Sequence, residues 1–194
     1  MFTIDDNNFE TAAMGVTSPF GLLEELFSEE PWCVLICTML LNKTQRKQNL
    51  DGILFRLFQR WPNAESVVKG ADDDEEAVRL FVFTQVRPAG LGHSKAKAFV
   101  RLSRDYLLLL ATKSQDIDPL PCRDTSAITS VASRRRGEEF DLTRKEVKQL
   151  FNCGDYAADA YQIFVRKDFE SSVVSSDYIL VAYVEWKRSL SCLD

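Results

Sequence analysis

Leu150-Phe151-Asn152-Cys153-Gly154, followed by Asp155-Tyr156-Ala157-Ala158, is the stretch on which the fold turns. A short amphipathic pattern over 143–150 runs into it. A longer one over 155–167 leaves it, with Ala158, Tyr161, Ile163, Phe164 and Val165 mostly inward. Asn152 tolerates the left-handed conformation and Gly154 carries no side chain, so the five residues suit a tight hairpin between two helices. On its own, a glycine after a helix equally reads as a C-cap.

Working outward, a polar turn leads to a closing helix over 177–190, opened by Asp177 with Ser175 and Ser176 beside it. Judged locally, Asp177 is N-cap chemistry. Upstream, residues 112–141 lose all apolar periodicity and are expected to be a flexible insertion. Before them, Ser94 suits the cap of a long basic helix reaching about residue 110, with Ala98, Phe99, Leu102, Tyr106 and Leu109 inside. Gly90-Leu91-Gly92 makes the turn ahead of it. The acidic run Asp72 to Glu76 fits the first turn of a helix better than a metal site, because the macrodipole favours anions there. A short helix over 64–69 precedes it, and Trp61-Pro62 breaks the one before, which Thr44 is placed to cap and in which Leu50, Ile53, Leu54, Leu57 and Phe58 recur at helical spacing with Arg46, Lys47 and Arg56 outside. Over 31–41, Trp32, Val34, Leu35, Ile36, Met39, Leu40 and Leu41 are apolar nearly all round, so this helix should be central and buried, with Pro31 as its first residue. A first helix over 19–27 turns Phe20, Leu23, Leu26 and Phe27 inward, and residues 1–17 read as a loose tail.

The 194 residues are 45% hydrophobic and 27% charged, which suits a globular chain of all-α class. No run is apolar enough to span a bilayer, and the first residues lack the pattern of a secretory signal. Five cysteines, Cys33, Cys37, Cys122, Cys153 and Cys192, fit neither a zinc site nor an iron–sulfur loop and read as reduced thiols of an intracellular protein. The net charge of −5 argues mildly against nucleic acid, yet bases gather locally at Lys43, Arg46 and Lys47, at Lys95, Lys97, Arg101 and Arg104, and at Arg134 to Arg136. His93, the only histidine, sits in the glycine-rich turn and is a poor catalytic candidate there.

Several stretches together resemble one family. They are Pro19-Phe20, Phe27 and Pro31-Trp32; Leu35 to Thr44; Gly90-Leu91, Lys95-Ala96-Lys97, Phe99 and Asp105-Tyr106-Leu107; Gly154, Tyr156, Asp159, Tyr161 and Ile163-Phe164; and Asp177, Leu180, Tyr183 and Trp186. Over about 19–110 and 143–190 the chain resembles the helix-hairpin-helix superfamily of DNA glycosylases, and within it the glycosylase domain of the methyl-CpG-binding-domain thymine and uracil branch. That resemblance implies a two-lobed helical bundle with the active site in the cleft between lobes. One lobe holds the central helices, about 32–110, and the other joins the N-terminal segment to the C-terminal helices. It also implies a monofunctional enzyme that removes thymine or uracil opposite guanine from double-stranded DNA, working in the nucleus as a monomer in base excision repair, without a cofactor.

Residue by residue, the resemblance implies that Asp177 is the catalytic carboxylate, able to stabilise an oxocarbenium-like transition state and to orient or deprotonate water. Tyr156 stands where bifunctional relatives carry a lysine nucleophile. A tyrosine forms no Schiff base, so hydrolysis without lyase chemistry is expected, with Tyr156 lining the base pocket. Leu91 matches a wedge that enters the stack, and Lys43 an arginine that fills the gap left by the flipped base. Asn152, Cys153 and Gly154, with Lys95 and Lys97, match positions that meet DNA. The hairpin carbonyls and a phosphate can share a monovalent cation. The departures are Lys43 for arginine, Asn152 for the first hairpin glycine, Asp155 for a lysine, Ile179 for a polar residue, and the long 112–141 stretch. No stretch of the 194 residues resembles a methyl-CpG reader. A catalytically inactive DNA-binding module on the same fold stays open beside the enzyme, as does a helical protein-interaction domain.

Overall fold

The computed structural model describes residues 18–42, 50–113, 142–169 and 175–191. Every regular element among them is helical. Lys43 and Thr44, the tail over 1–17, and residues 114–141 of the expected insertion lie outside the described residues.

Helix α2 (Pro31–Leu41) is the centre, and Trp32 through Leu40 are all buried. It packs against α1 (Leu23–Leu26), α3 (Leu50–Arg60), α5 (Gly92–Lys113) and α7 (Asp155–Ala160), and against a π-helical segment, Tyr161–Val165, that continues α7. An element so surrounded must be apolar on every side, and each buried Leu, Ile or Val contributes roughly 1.5–3 kcal/mol. A polar anchor to a neighbour is Trp32, whose indole Nε1 donates to Ser103 Oγ at 3.1 Å. Ser103 Oγ in turn donates to the Phe99 carbonyl at 2.8 Å, so the buried hydroxyl is satisfied on both sides. The Trp32 ring stands edge-on to Phe58 and Phe99, and Trp61 edge-on to Phe81.

Helix α4 (Ala64–Val86) differs from the sequence expectation. Two helices were expected, and one rod with a kink is observed: Asp74 leaves helical geometry at φ −157°, ψ 92°. Its Oδ1 accepts from Ala77 N–H at 3.0 Å, so Asp74 acts as an internal N-cap, with Glu75 and Glu76 as the anions of the new first turn. Helices α4 and α5 lie side by side, pinned where Arg104 of α5 donates to Glu75 at 2.6 Å and Asp72 at 3.1 Å. A 3₁₀ turn, Arg87–Ala89, and Gly90 at φ 79° join them. Helix α5 begins at Gly92, two residues before the expected Ser94 cap, and extends to Lys113.

The C-terminal half returns to α2 through α6 (Arg144–Val147), α7 and the π segment, and closes with α8 (Tyr178–Ser191). Helix α1 is stapled to this half by two tyrosine–glutamate pairs. The Tyr156 hydroxyl donates to Glu24 Oε1 at 2.6 Å, and Tyr183 of α8 bonds Glu25. The first and last described segments are therefore joined far along the chain. No described helix is long and apolar enough to cross a membrane.

Candidate active site and nucleic-acid interface

The turn at 150–154 is built from local rules. Thr143 and Glu146 cap α6 reciprocally: the Thr143 N–H donates to Glu146 Oε2 at 2.7 Å, and the Glu146 N–H reaches Thr143 Oγ1 at 3.4 Å. Lys113 of α5 holds the same carboxylate at 3.0 Å. Cys153 N–H closes the turn on the Leu150 carbonyl at 3.1 Å, and Asn152 occupies the left-handed region at φ 63°. Gly154 then caps α7 with its carbonyl, which accepts from Ala158 N–H at 3.1 Å. Its φ of −102° is open to any residue, and a Cβ built on it meets nothing within 4 Å. Nothing among the described residues requires glycine there, and the space around its Cα is open.

Asp177 precedes α8 and is partly buried. Its Oδ1 accepts from the N–H groups of Ile179 (3.0 Å) and Leu180 (3.2 Å), and its own N–H donates to Ser175 Oγ at 3.1 Å. This is an N-cap, as local chemistry expected. The cap uses one carboxylate oxygen, and no described residue bonds Oδ2. Capping and chemistry are thus compatible in one side chain: the first oxygen locks the rotamer and the second stays open.

Tyr156, in the first turn of α7, has its phenol pushed far above the ordinary tyrosine value, chiefly by burial and then by the charge of Glu24, with smaller contributions from Cys37 and Asp177. It stays protonated at any working pH and acts as a donor. These contributions also put Tyr156, Glu24, Cys37 and Asp177 in one neighbourhood, drawn from α7, α1, α2 and the start of α8. Glu24 is fully buried, and the sequence reading passed over it. The signal was present: Glu24 lies four residues after Phe20 and three before Phe27, on the face those aromatics turn inward.

Leu91 is a bulky residue at φ 55° and is 56% exposed. A strained backbone that presents a leucine to solvent gains nothing for the core, and such outliers gather at functional sites. Lys97 is exposed on α5, and one turn further the Arg101 guanidinium lies 4.2 Å above the Phe151 ring of the hairpin. Lys97, Arg101 and the hairpin therefore adjoin, and Arg101 joins the residues first singled out. Lys95 is buried, with Nζ 3.5 Å from the Ala89 carbonyl, and burial lowers its pKa. That position braces the 87–91 turn. Cys153 is buried too, its thiol pushed up to about 12 by burial, so the hairpin offers backbone there and no reactive thiolate. Lys43 is outside the described residues.

His93 stacks on Phe83 at 4.2 Å beside a cleft of about 440 Å³ lined by Glu75, Glu76, Arg79 and Leu80, which contains neither Asp177 nor Tyr156. Among the described residues no cluster of His, Cys, Asp and Glu could hold a metal ion.

No family model matches the chain. It is 28% identical over 171 residues to a methyl-CpG-binding domain protein 4-like protein of Arabidopsis thaliana, a match covering 88% of this chain and 29% of the relative. It is 21% identical over 129 residues to a thymine-DNA glycosylase of Aeropyrum pernix, covering 66% of this chain and 43% of that protein. The chain thus spans less than half the length of either relative. Both matches support a distant relationship to DNA glycosylases.

Proposed function

We propose that the chain is a monofunctional DNA glycosylase of helix-hairpin-helix type that hydrolyses the N-glycosidic bond of thymine or uracil opposite guanine in double-stranded DNA. The observation that carries this reading is the Asp177 carboxylate, fixed through Oδ1 and open at Oδ2, in the electrostatic neighbourhood of the buried Tyr156–Glu24 pair. The cleft between a central lobe and a lobe joining both ends of the chain receives the flipped nucleotide. As the C1′–N1 bond lengthens, its electron pair leaves with the base and positive charge grows on the sugar. Asp177 Oδ2 faces that charge and orients a water, whose oxygen bonds C1′. The water's proton passes to Asp177. Glu24 acts as a positioning residue: it holds the Tyr156 phenol at 2.6 Å in one orientation on the pocket wall. Position 156 holds no amine, so no Schiff base forms and an intact abasic site is the product.

Leu91 enters the stack, Lys43 fills the gap beside it, and Asn152, Cys153 and Gly154 give backbone to a phosphate, with Lys97 and Arg101 alongside. Lys95 supports the wedge turn from beneath. We place the enzyme in the nucleus, acting as a monomer in base excision repair, with no cofactor required.

The test compares wild type with Asp177→Asn on G·U, G·T and fully paired duplexes. Wild type is expected to leave alkali-labile abasic sites at the mismatches, the variant to be slower by about 100-fold or more, and borohydride to trap no adduct. Duplex binding without any cleavage supports the non-catalytic module instead, and equal activity in the variant removes Asp177 from the chemistry.

A further inference from the structure

Beside the hairpin, two cations share one exposed oxygen. Arg144 Nη2 donates to Asp155 Oδ1 at 2.5 Å, and Lys148 Nζ reaches the same atom at 2.8 Å. All three side chains are substantially exposed. Arg144 is not free to wander, because its Nε donates at 2.7 Å to Asp159 Oδ1, whose side chain is only 2% exposed. That buried bond fixes the guanidinium plane and leaves the Nη edge at the surface. Lys148 and Asp155 are held by no such anchor, and exposed ion pairs of this kind add little to stability.

We propose that Arg144 and Lys148 form a binding position for a backbone phosphate of the duplex, and that Asp155 occupies it in the free protein as an internal stand-in for that phosphate. A carboxylate oxygen and a phosphate oxygen present the same charge and accept the same N–H donors. Both donors are already aimed, and Gly154, with open space where a Cβ would sit, leaves room beside them for a strand. The pairing with Lys148, and then with Arg144, holds the Asp155 carboxyl below its ordinary range. Asp155 is therefore ionised, and it competes with DNA for both cations throughout the working pH range. This accounts for an acid at a place where a cation would serve binding better: it sets how weakly the hairpin holds DNA, so that release is not slowed by an extra phosphate contact. The inference rests on the reading of the hairpin as a DNA-facing element.

The experiment is a salt titration of binding to a labelled, fully paired duplex, with the full chain carrying Asp177→Asn so that no turnover intervenes. Asp155→Asn should tighten binding by about 3- to 10-fold at low salt and steepen the dependence of log K on log salt by about one phosphate. Lys148→Gln should undo most of that gain in the Asp155→Asn background, where the same charge is free to meet phosphate, and cost less in the parent. Arg144 is left intact because its loss strands Asp159. An affinity and slope in Asp155→Asn equal to or below the parent overturn the proposal, including the case in which neither protein binds. Tighter binding by Asp155→Asn together with a failed glycosylase assay leaves this position standing and removes only the catalytic reading.

Discussion

Of the three described non-glycine residues in the left-handed region, Asn152, Leu91 and Lys167, the first two sit in turns that hold them at different cost. Asn152 at φ 63° sits in the hairpin, where its short polar side chain tolerates the conformation and the flanking α6 is locked by its capping box. Leu91 at φ 55° follows Gly90 at φ 79°, and a leucine has no such tolerance. One turn is what its own residues prefer. The other is held by what surrounds it: the 3₁₀ turn, the long start of α5 and the Lys95 beneath. Strain at an exposed apolar residue gains nothing for the core, and it is this feature on which the proposed wedge role of Leu91 rests.

The comparison can be broken most readily at Leu91. Leu91→Gly removes the left-handed penalty and the side chain together. Stability should hold or rise by up to about 1 kcal/mol, read by thermal or urea melts. Mismatch cleavage should fall by about tenfold or more, some 1.4 kcal/mol of transition-state binding. Activity that survives intact strips Leu91 of its role as a wedge.

A smaller effect is expected at the hairpin, at the residue whose backbone is unstrained. Gly154→Ala suits φ −102° and meets no neighbour, so the gain from a stiffer unfolded chain should roughly offset the poorer N-cap, and the melt should move by less than about 1 kcal/mol. Duplex affinity should drop by roughly 5- to 10-fold, or about 1 kcal/mol, because the new methyl group stands where a phosphate approaches. Binding lost while stability holds sharpens the view that this glycine serves something outside the protein. Unchanged binding leaves it as an ordinary cap.

Smallest of the three, Asn152→Ala tests whether the hairpin is as locally determined as it looks. Loss of left-handed tolerance should cost about 1 kcal/mol, lowering the melting temperature by roughly 2–4 °C. Asn152→Gly should be near neutral in the same melt. An alanine variant as stable as wild type means that tertiary packing, and not residue 152, holds the turn.

Much of the helical layout was legible because each boundary carried its own chemistry. Pro31 and Asn42 bracket α2 at both ends, and its residues are apolar on every side. The Thr143–Glu146 box marks α6, and Asp177 with Ser175 marks α8. The acids from 72 to 76 were read as first-turn anions, and Asp74 does cap a turn, but inside one kinked rod that packs along α5. The switch to π geometry at Tyr161 had no sequence signal. Glu24 illustrates the opposite failure. Its spacing pointed inward, yet it was passed over, since a hydroxyl far along the chain, that of Tyr156, helps make the burial of a charged residue tolerable.

What the order of residues determined by itself is the local part: an all-helical chain, a buried central helix, a hairpin with a left-handed asparagine, and an aspartate at the head of the last helix. These follow from periodicity, capping and backbone freedom, which act over a few residues. Only the tertiary structure decided which side chains meet across the chain. It joined Tyr156 to Glu24, took Lys95 out of reach of solvent, set Arg101 over Phe151, and turned Arg144 and Lys148 onto Asp155. Desolvation and Coulomb energy depend on neighbours in space, so no local pattern could assign them.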